Sequence, residues 1–312
     1  MKDVFANNEL FAFVENEIRL AHMEGRSGRA QNLKSVRNSF RAFLGSARLP
    51  FSKLTHELIA SYEGWLKERG VTRNSSSFYL RLLRSIYNKA GLPGRTSGEY
   101  PFKDVYTGVD DTRKRAVDKQ VIARLINLDL SGSDSLSLAR DLFLLSFYMR
   151  GIAYVDMAFL KRSDILRGEI HYFRHKTGAH MRVRVEACIL EIFERYANQA
   201  RLGYLLPIIS EKDPVKAYEQ YRNKRSYYNK LLKRLSKLID LSIPLTSYVS
   251  RHTWATVARD INVAMPVISA GMGHSSETVT RIYLASLDAS TIDSANLKII
   301  NYIQRSLRKR KA

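Results

Sequence analysis

The sequence predicts a mainly α protein with a small β-hairpin or sheet, an α+β chain of two domains. Three observations carry this. Four segments before residue 92 repeat apolar residues at helical spacing. A stretch rich in glycine, with Pro93 and Pro101, then interrupts that periodicity. Further on, two period-two runs flank a Thr-Gly turn inside an otherwise helical half. The expected division is a helical domain over residues 1–92, a linker over 93–116 and a larger domain over 117–312.

The first predicted helix covers Asn8 to Met23, with Phe11, Val14 and Ile18 on one face. The second, with Ser27 as cap candidate, repeats Leu33, Val36, Phe40, Phe43 and Leu44 and carries Arg29, Lys34, Arg37 and Arg41. A third starts near Thr55, places Leu58, Ile59, Tyr62 and Leu66 inward and stops at Gly70. The fourth runs from Asn74 to Lys89 with Leu82, Leu83, Ile86 and Tyr87 inward and Arg73, Arg81 and Arg84 elsewhere. Short connections favour an antiparallel bundle. With no catalytic set visible, this half reads as a binding module.

In the second half, Asp118 caps a helix with Val121, Ile122, Leu125 and Ile126 inward, and Ser135 to Met149 is a strongly apolar helix ending at Arg150-Gly151. An arginine there is either a cation facing the helix dipole and solvent or a group that needs anionic partners. Ile170, Tyr172 and Arg174, then Met181, Val183 and Val185, form the hairpin, with Lys176 at its tip. Such a lysine is either a solvated gatekeeper or an ammonium aimed at a nucleic-acid groove. Helices return over Ala187 to Leu202 and over Tyr218 to Leu241; the latter carries Arg222, Lys224 and Arg225 around Leu231, Leu232, Leu235 and Leu238. Ser294 to Leu307 is a last amphipathic helix before a basic tail.

Composition narrows the function. The 312 residues hold 51 lysines and arginines against 30 acids, a net charge of +21 spread along the whole chain. Such a surface attracts a polyanion, with nucleic acid ahead of an anionic membrane. The lone Cys188 has no metal-ligand neighbours and reads as a small buried hydrophobe. Neither a signal peptide nor a run of about 18 apolar residues is present, so a cytoplasmic protein without membrane contact is expected.

The densest chemistry lies between Thr246 and Tyr283. Arg251 is followed 23 residues later by His274, in a Gly-His-Ser turn, and nine residues further by Tyr283. Arginine, histidine and tyrosine in this order fit a site that grips a phosphodiester and attacks it with a phenol.

Together these residues resemble the tyrosine recombinase, or phage integrase, family, over nearly the whole chain, in its integrase and invertase branch. The family's first arginine falls on Arg150, its hairpin lysine on Lys176, its second arginine on Arg251, its histidine on His274 and its nucleophile on Tyr283. Two departures stand out. The family usually has a histidine three residues before the second arginine, where this chain has Tyr248. A phenol hydrogen-bonds phosphate but cannot take a proton near pH 7. The family's acid usually lies three residues after the first arginine, whereas Asp156 lies six on and is expected to orient the arginines.

The resemblance implies a four-helix SAM-like core-binding domain, a catalytic domain, and site-specific integration, excision or inversion of DNA through a 3′-phosphotyrosyl intermediate. It implies double-stranded DNA with specific core sites as partner, a homotetramer on two sites, accessory DNA-bending proteins, location at the bacterial nucleoid, and no cofactor or metal. Because the chain starts directly with the bundle and lacks an arm-site domain, inversion or simple integration is the expected outcome. A type IB topoisomerase-like relaxing activity and a non-catalytic DNA-binding regulator are the competing readings.

Overall fold

The buried positions of the first helices follow the apolar periodicity. The computed structural model describes residues 9–91, 100–110 and 116–273. His274, Tyr283, the segment 294–307 expected as a helix, and the basic tail lie outside these residues. Two units emerge, Met1–Thr112 with Asp213–Tyr218, and Arg113–Lys212 with Glu219–Ala312.

In the first unit, α1 (Leu10–Met23) begins at Glu9, whose carboxylate accepts from the Phe11 and Ala12 amides at 3.1 and 2.6 Å. The same carboxylate takes the Leu49 amide at 2.8 Å, tying the start of the helix to a distant loop. In α2 (Ser27–Leu44), Ser27 was expected as the cap, but the cap position is Arg26 and Ser27 is already helical. Thr55 caps α3 (His56–Glu68), and α4 (Arg73–Lys89) buries Leu80, Leu83, Ile86 and Tyr87 and leaves Leu82 half-buried.

Tyr62 sits at the centre, with its ring edge-on to Phe40 at 4.8 Å and its hydroxyl 2.7 Å from Ser39. Burial pushes its phenol pKa up. Aromatic pairs of this kind add about 1 kcal/mol beyond area burial. The predicted linker is, over residues 100–110, part of this unit: Tyr100, Phe102 and Val105 join its core. Their aromatic spacing has no helical period, so the sequence read them as connection.

The second unit is built around α6 (Asp134–Tyr148), which is buried on several sides and packs on α5 (Lys119–Ile126), α8 (Ala187–Tyr196) and α10 (Val249–Asp260). Ser146 and Ser250 hydroxyls meet at 2.7 Å between α6 and α10. Buried Asp141 accepts from Arg140, Arg195 and Tyr196 at 2.8, 2.5 and 2.8 Å. This set of donors satisfies a carboxylate that would otherwise be costly to bury.

After the short α7 (Tyr154–Ala158), three antiparallel strands follow in order: β1 (Ile165–Leu166), β2 (Glu169–Phe173) and β3 (His180–Arg184). In the hairpin, Ile170 pairs with Val183 and Tyr172 with Met181, so these four share the buried face. The sequence did not reveal β1, because two residues are too few to show alternation.

Other predicted inward positions also differ. Ile126 and Leu238 end their helices and stand 49% and 54% exposed. Cys188 is half-buried, because α8 turns Ile189, Ile192, Phe193 and Tyr196 inward. The long α9 (Pro214–Leu238) stacks Tyr228 on Tyr154 at 4.7 Å, and α11 (Met265–Gly271) completes the described chain. Among the described residues no helix is long and apolar enough to cross a membrane.

Asp141→Ala removes the acceptor shared by three donors. The expected loss is about 2 kcal/mol or more, read as a lower urea midpoint. An unchanged midpoint would show that the donors relax to water.

Candidate active site

The site begins where α6 ends. Gly151 donates to the Ser146 carbonyl at 2.7 Å, and Arg150 and Gly151 both adopt left-handed backbone, at φ 60° and 73°. For a non-glycine residue that conformation costs on the order of 1–2 kcal/mol. Arg150 carries this strain while Gly151 is suited to it. The turn also leaves no room at Gly151: an added Cβ would sit 2.7 Å from both Cα and Cγ of Arg251.

Arg251 lies in the first turn of α10 and is 3% exposed. Its Nη1 donates to the Gly151 carbonyl at 2.7 Å and its Nη2 to the Met272 carbonyl at 2.6 Å. Carbonyl oxygens satisfy donors without cancelling the charge. A guanidinium so seated is both fixed and cationic.

A cavity of about 450 Å³ opens beside it, lined by Asp156, Arg174, Lys176, Arg225, Tyr248 and Arg251 among others. Arg150 flanks this group, its Cδ 3.7 Å from the position a Cβ on Gly271 would take. Tyr172 lies beneath, its phenol pKa raised by burial and by Asp156 and lowered by Arg251, Arg174 and Arg150. Three arginines and one aspartate thus all act on this phenol. Tyr154, Tyr172 and Tyr228 are held protonated chiefly by burial. Tyr248 stands at the start of α10, 44% exposed, edge-on to His252 at 5.1 Å.

Asp156, expected to orient the arginines, accepts hydrogen bonds from His175, from its amide at 2.8 Å and its Nδ1 at 3.0 Å. Next to His175, Arg174 donates to the Gly273 carbonyl at 2.5 Å. The sequence pattern gave Arg174 a place in the hairpin but no role at the site, and passed over His175. The available signal was the run Arg174-His175-Lys176 at a hairpin end, three basic side chains where one sufficed for a solvated turn.

The residues predicted to touch DNA are not all open cations. Arg37 and Arg41 approach Glu15 at 2.5 and 3.8 Å, and Arg29 faces buried Glu17 at 3.7 Å. Arg73 lies over the Tyr106 ring at 3.7 Å and Arg84 donates to Thr107 at 2.9 Å. Lys34, Arg81 and Arg222 are half-buried, while Lys224 and Arg225 are exposed on α9.

Two family profiles match this chain: the phage integrase SAM-like domain over residues 9–100, and the phage integrase family over residues 115–290, more than half of the 312. The chain belongs to the phage integrase family. Among solved structures it is similar to a lambda integrase dimer bound to a COC′ core site, with TM-score 0.64 and 15% identity over 90% of this chain and 99% of that one. A Tn1549 transposon integrase in complex with a circular intermediate DNA gives TM-score 0.64 and 15% identity over 94% and 99%. A lambda integrase tetramer bound to a Holliday junction gives 0.62 and 15% over 89% and 77%. At such identities these likenesses speak to the fold, that of the tyrosine recombinases. No curated protein sequence matches.

Gly151→Ala is expected to lower stability by more than about 1 kcal/mol, since both the backbone and Arg251 oppose the methyl. Denaturant unfolding measures this. A variant as stable as the parent would mean that the turn is not locked on Arg251.

Proposed function

We propose that this chain is a site-specific DNA recombinase that cuts and rejoins strands through a 3′-phosphotyrosyl link to Tyr283. The observation that carries the reading is the seat of Arg251 on the carbonyl of the Arg150–Gly151 turn, beside a cavity that Lys176 also lines, in a phage integrase chain.

In this reading Arg150 and Arg251 hold the non-bridging oxygens of the scissile phosphate. Their charge offsets what builds there in the transition state. His274 adds a further donor and Tyr248 a phenol hydrogen bond. The Tyr283 oxygen attacks phosphorus, forming the O–P bond as the bond to the 5′ oxygen breaks. The Lys176 ammonium passes a proton to that departing oxygen. A phenol with an ordinary pKa of about 10 is a weak nucleophile at neutral pH, so the cationic site must favour its anion. Because the phosphodiester energy stays in the tyrosyl link, a 5′ hydroxyl from another strand reverses the step and reseals the DNA.

The domain roles follow the same reading. Residues 1–92 form a core-binding domain, 93–116 a linker and 117–312 the catalytic domain, with the 100–110 stretch packed on the core-binding side. Exposed Lys224 and Arg225 supply phosphate contacts on the catalytic side. Each tyrosine cuts one strand, so exchange between two duplexes takes four sites and hence a homotetramer on two double-stranded sites. Residues 294–307 are the segment proposed to pack on a neighbour.

The test is junction sequencing in cells carrying the parent chain or Tyr283→Phe. New DNA junctions at a short common core are expected with the parent and none with the variant. Junctions that persist with Tyr283→Phe would remove the nucleophile. Relaxed supercoils without junctions would make the chain a topoisomerase.

A further inference from the structure

The tip of the β2–β3 hairpin poses a mechanical problem. Lys176, Thr177 and Gly178 are all exposed, and Gly178 adopts left-handed backbone at φ 68°. Within the turn, the Gly178 amide donates to the Arg174 carbonyl at 2.8 Å and the Arg174 amide to the Ala179 carbonyl at 2.9 Å. These bonds shape the turn but do not fix where it points. A lysine has a long side chain with several free torsions, and a proton donor works only within hydrogen-bond reach of its target.

The geometry points to His175 as a positioning residue that holds Lys176 over the scissile phosphate by locking the hairpin to Asp156. This rests on the assignment of Lys176 as the acid. His175 contacts Asp156 twice, through its backbone amide and through Nδ1. A buried carboxylate only accepts, so the Nδ1 proton sits on the histidine. The imidazole also lies against the Phe159 ring at 5.2 Å, which sets its plane.

Asp156 is well placed for this. Its side chain is 3% exposed, and it stands on α7, five residues past the left-handed Gly151 that seats Arg251. One short segment therefore references both the arginine turn and the lysine turn. Immediately before His175, Arg174 ties the β2 side of the turn to the Gly273 carbonyl, one residue before His274. Lys176 is thereby held next to a residue anchored on α7 and two residues from one anchored behind α11. A turn anchored at two successive residues before Lys176 orders the lysine before substrate arrives, which is where positioning gains rate.

The test uses the full chain and a duplex carrying the core site read from the junctions above. That duplex is made with either oxygen or sulfur at the scissile 5′ position. A thiolate leaves without a proton, so loss of the acid is felt on the oxygen substrate alone. Lys176→Ala sets the scale, with an expected loss of about 10²–10⁴-fold on oxygen. His175→Ala, and His175→Phe, which keeps a ring on Phe159 but removes the side-chain donor and leaves the backbone amide, should lose about 100-fold on oxygen and less than about threefold on sulfur. His175→Asn, whose amide can reach Asp156, should recover most of the oxygen rate.

Equal losses on both substrates would make His175 merely structural, and parent-like cleavage by His175→Phe would overturn the positioning role outright. If Lys176→Ala shows no preference for sulfur, the acid assignment falls and the inference with it. If Lys176→Ala shows the preference and the His175 variants do not, only the inference falls.

Discussion

A buried guanidinium must find acceptors, and in this protein the acceptors decide the architecture of the site. Arg251 takes carbonyls from two places, Gly151 at the end of α6 and Met272 at the end of α11. The Gly151 carbonyl reaches it from a turn that is left-handed at both Arg150 and Gly151. The α6–α10 contact, closed by the Ser146–Ser250 pair, holds the two helices at the separation this needs. Carboxylates would have satisfied the arginine equally well but would have neutralised it. Carbonyls leave a cation that can still attract phosphate.

Charge elsewhere is moderated. The net charge of +21 overstates how many cations stand open toward a polyanion. In the first unit Glu15 takes up two arginines, and buried Glu17 is gripped by Lys89 at 2.7 and 2.6 Å with Arg29 close by. Pairing on a bundle face fixes long side chains at little net energy. It also presents guanidiniums in defined places, which suits register on a phosphate backbone better than a diffuse positive field.

Much of this was legible in the sequence because helices report themselves by period. Leu33, Val36 and Phe40, or Ile59, Tyr62 and Leu66, mark a face that the fold then buries. The hairpin was equally plain, since Ile170 and Tyr172 alternate opposite Met181 and Val183. What stayed hidden depends on contacts far apart in sequence. Tyr100 and Phe102 look like linker until Tyr87 is beside them. Cys188, Ile126 and Leu238 sit one position off the buried stripe or at a helix end, where a period cannot tell core from solvent. At the site, spacing singled out Arg150, Lys176 and Arg251 but not the parts that seat them. Gly151 looked like a helix stop, and nothing local paired Asp156 with His175.

The central claim is that this cationic site serves Tyr283, a residue beyond those described, and the covalent bond itself tests that most directly. Trapped protein–DNA adduct, digested with nuclease and trypsin and mapped by mass spectrometry, should carry its nucleotide remnant on the peptide from Ile282 to Lys298, whose single tyrosine is Tyr283. A remnant on a peptide bearing Tyr248, or on any other residue, would contradict the account.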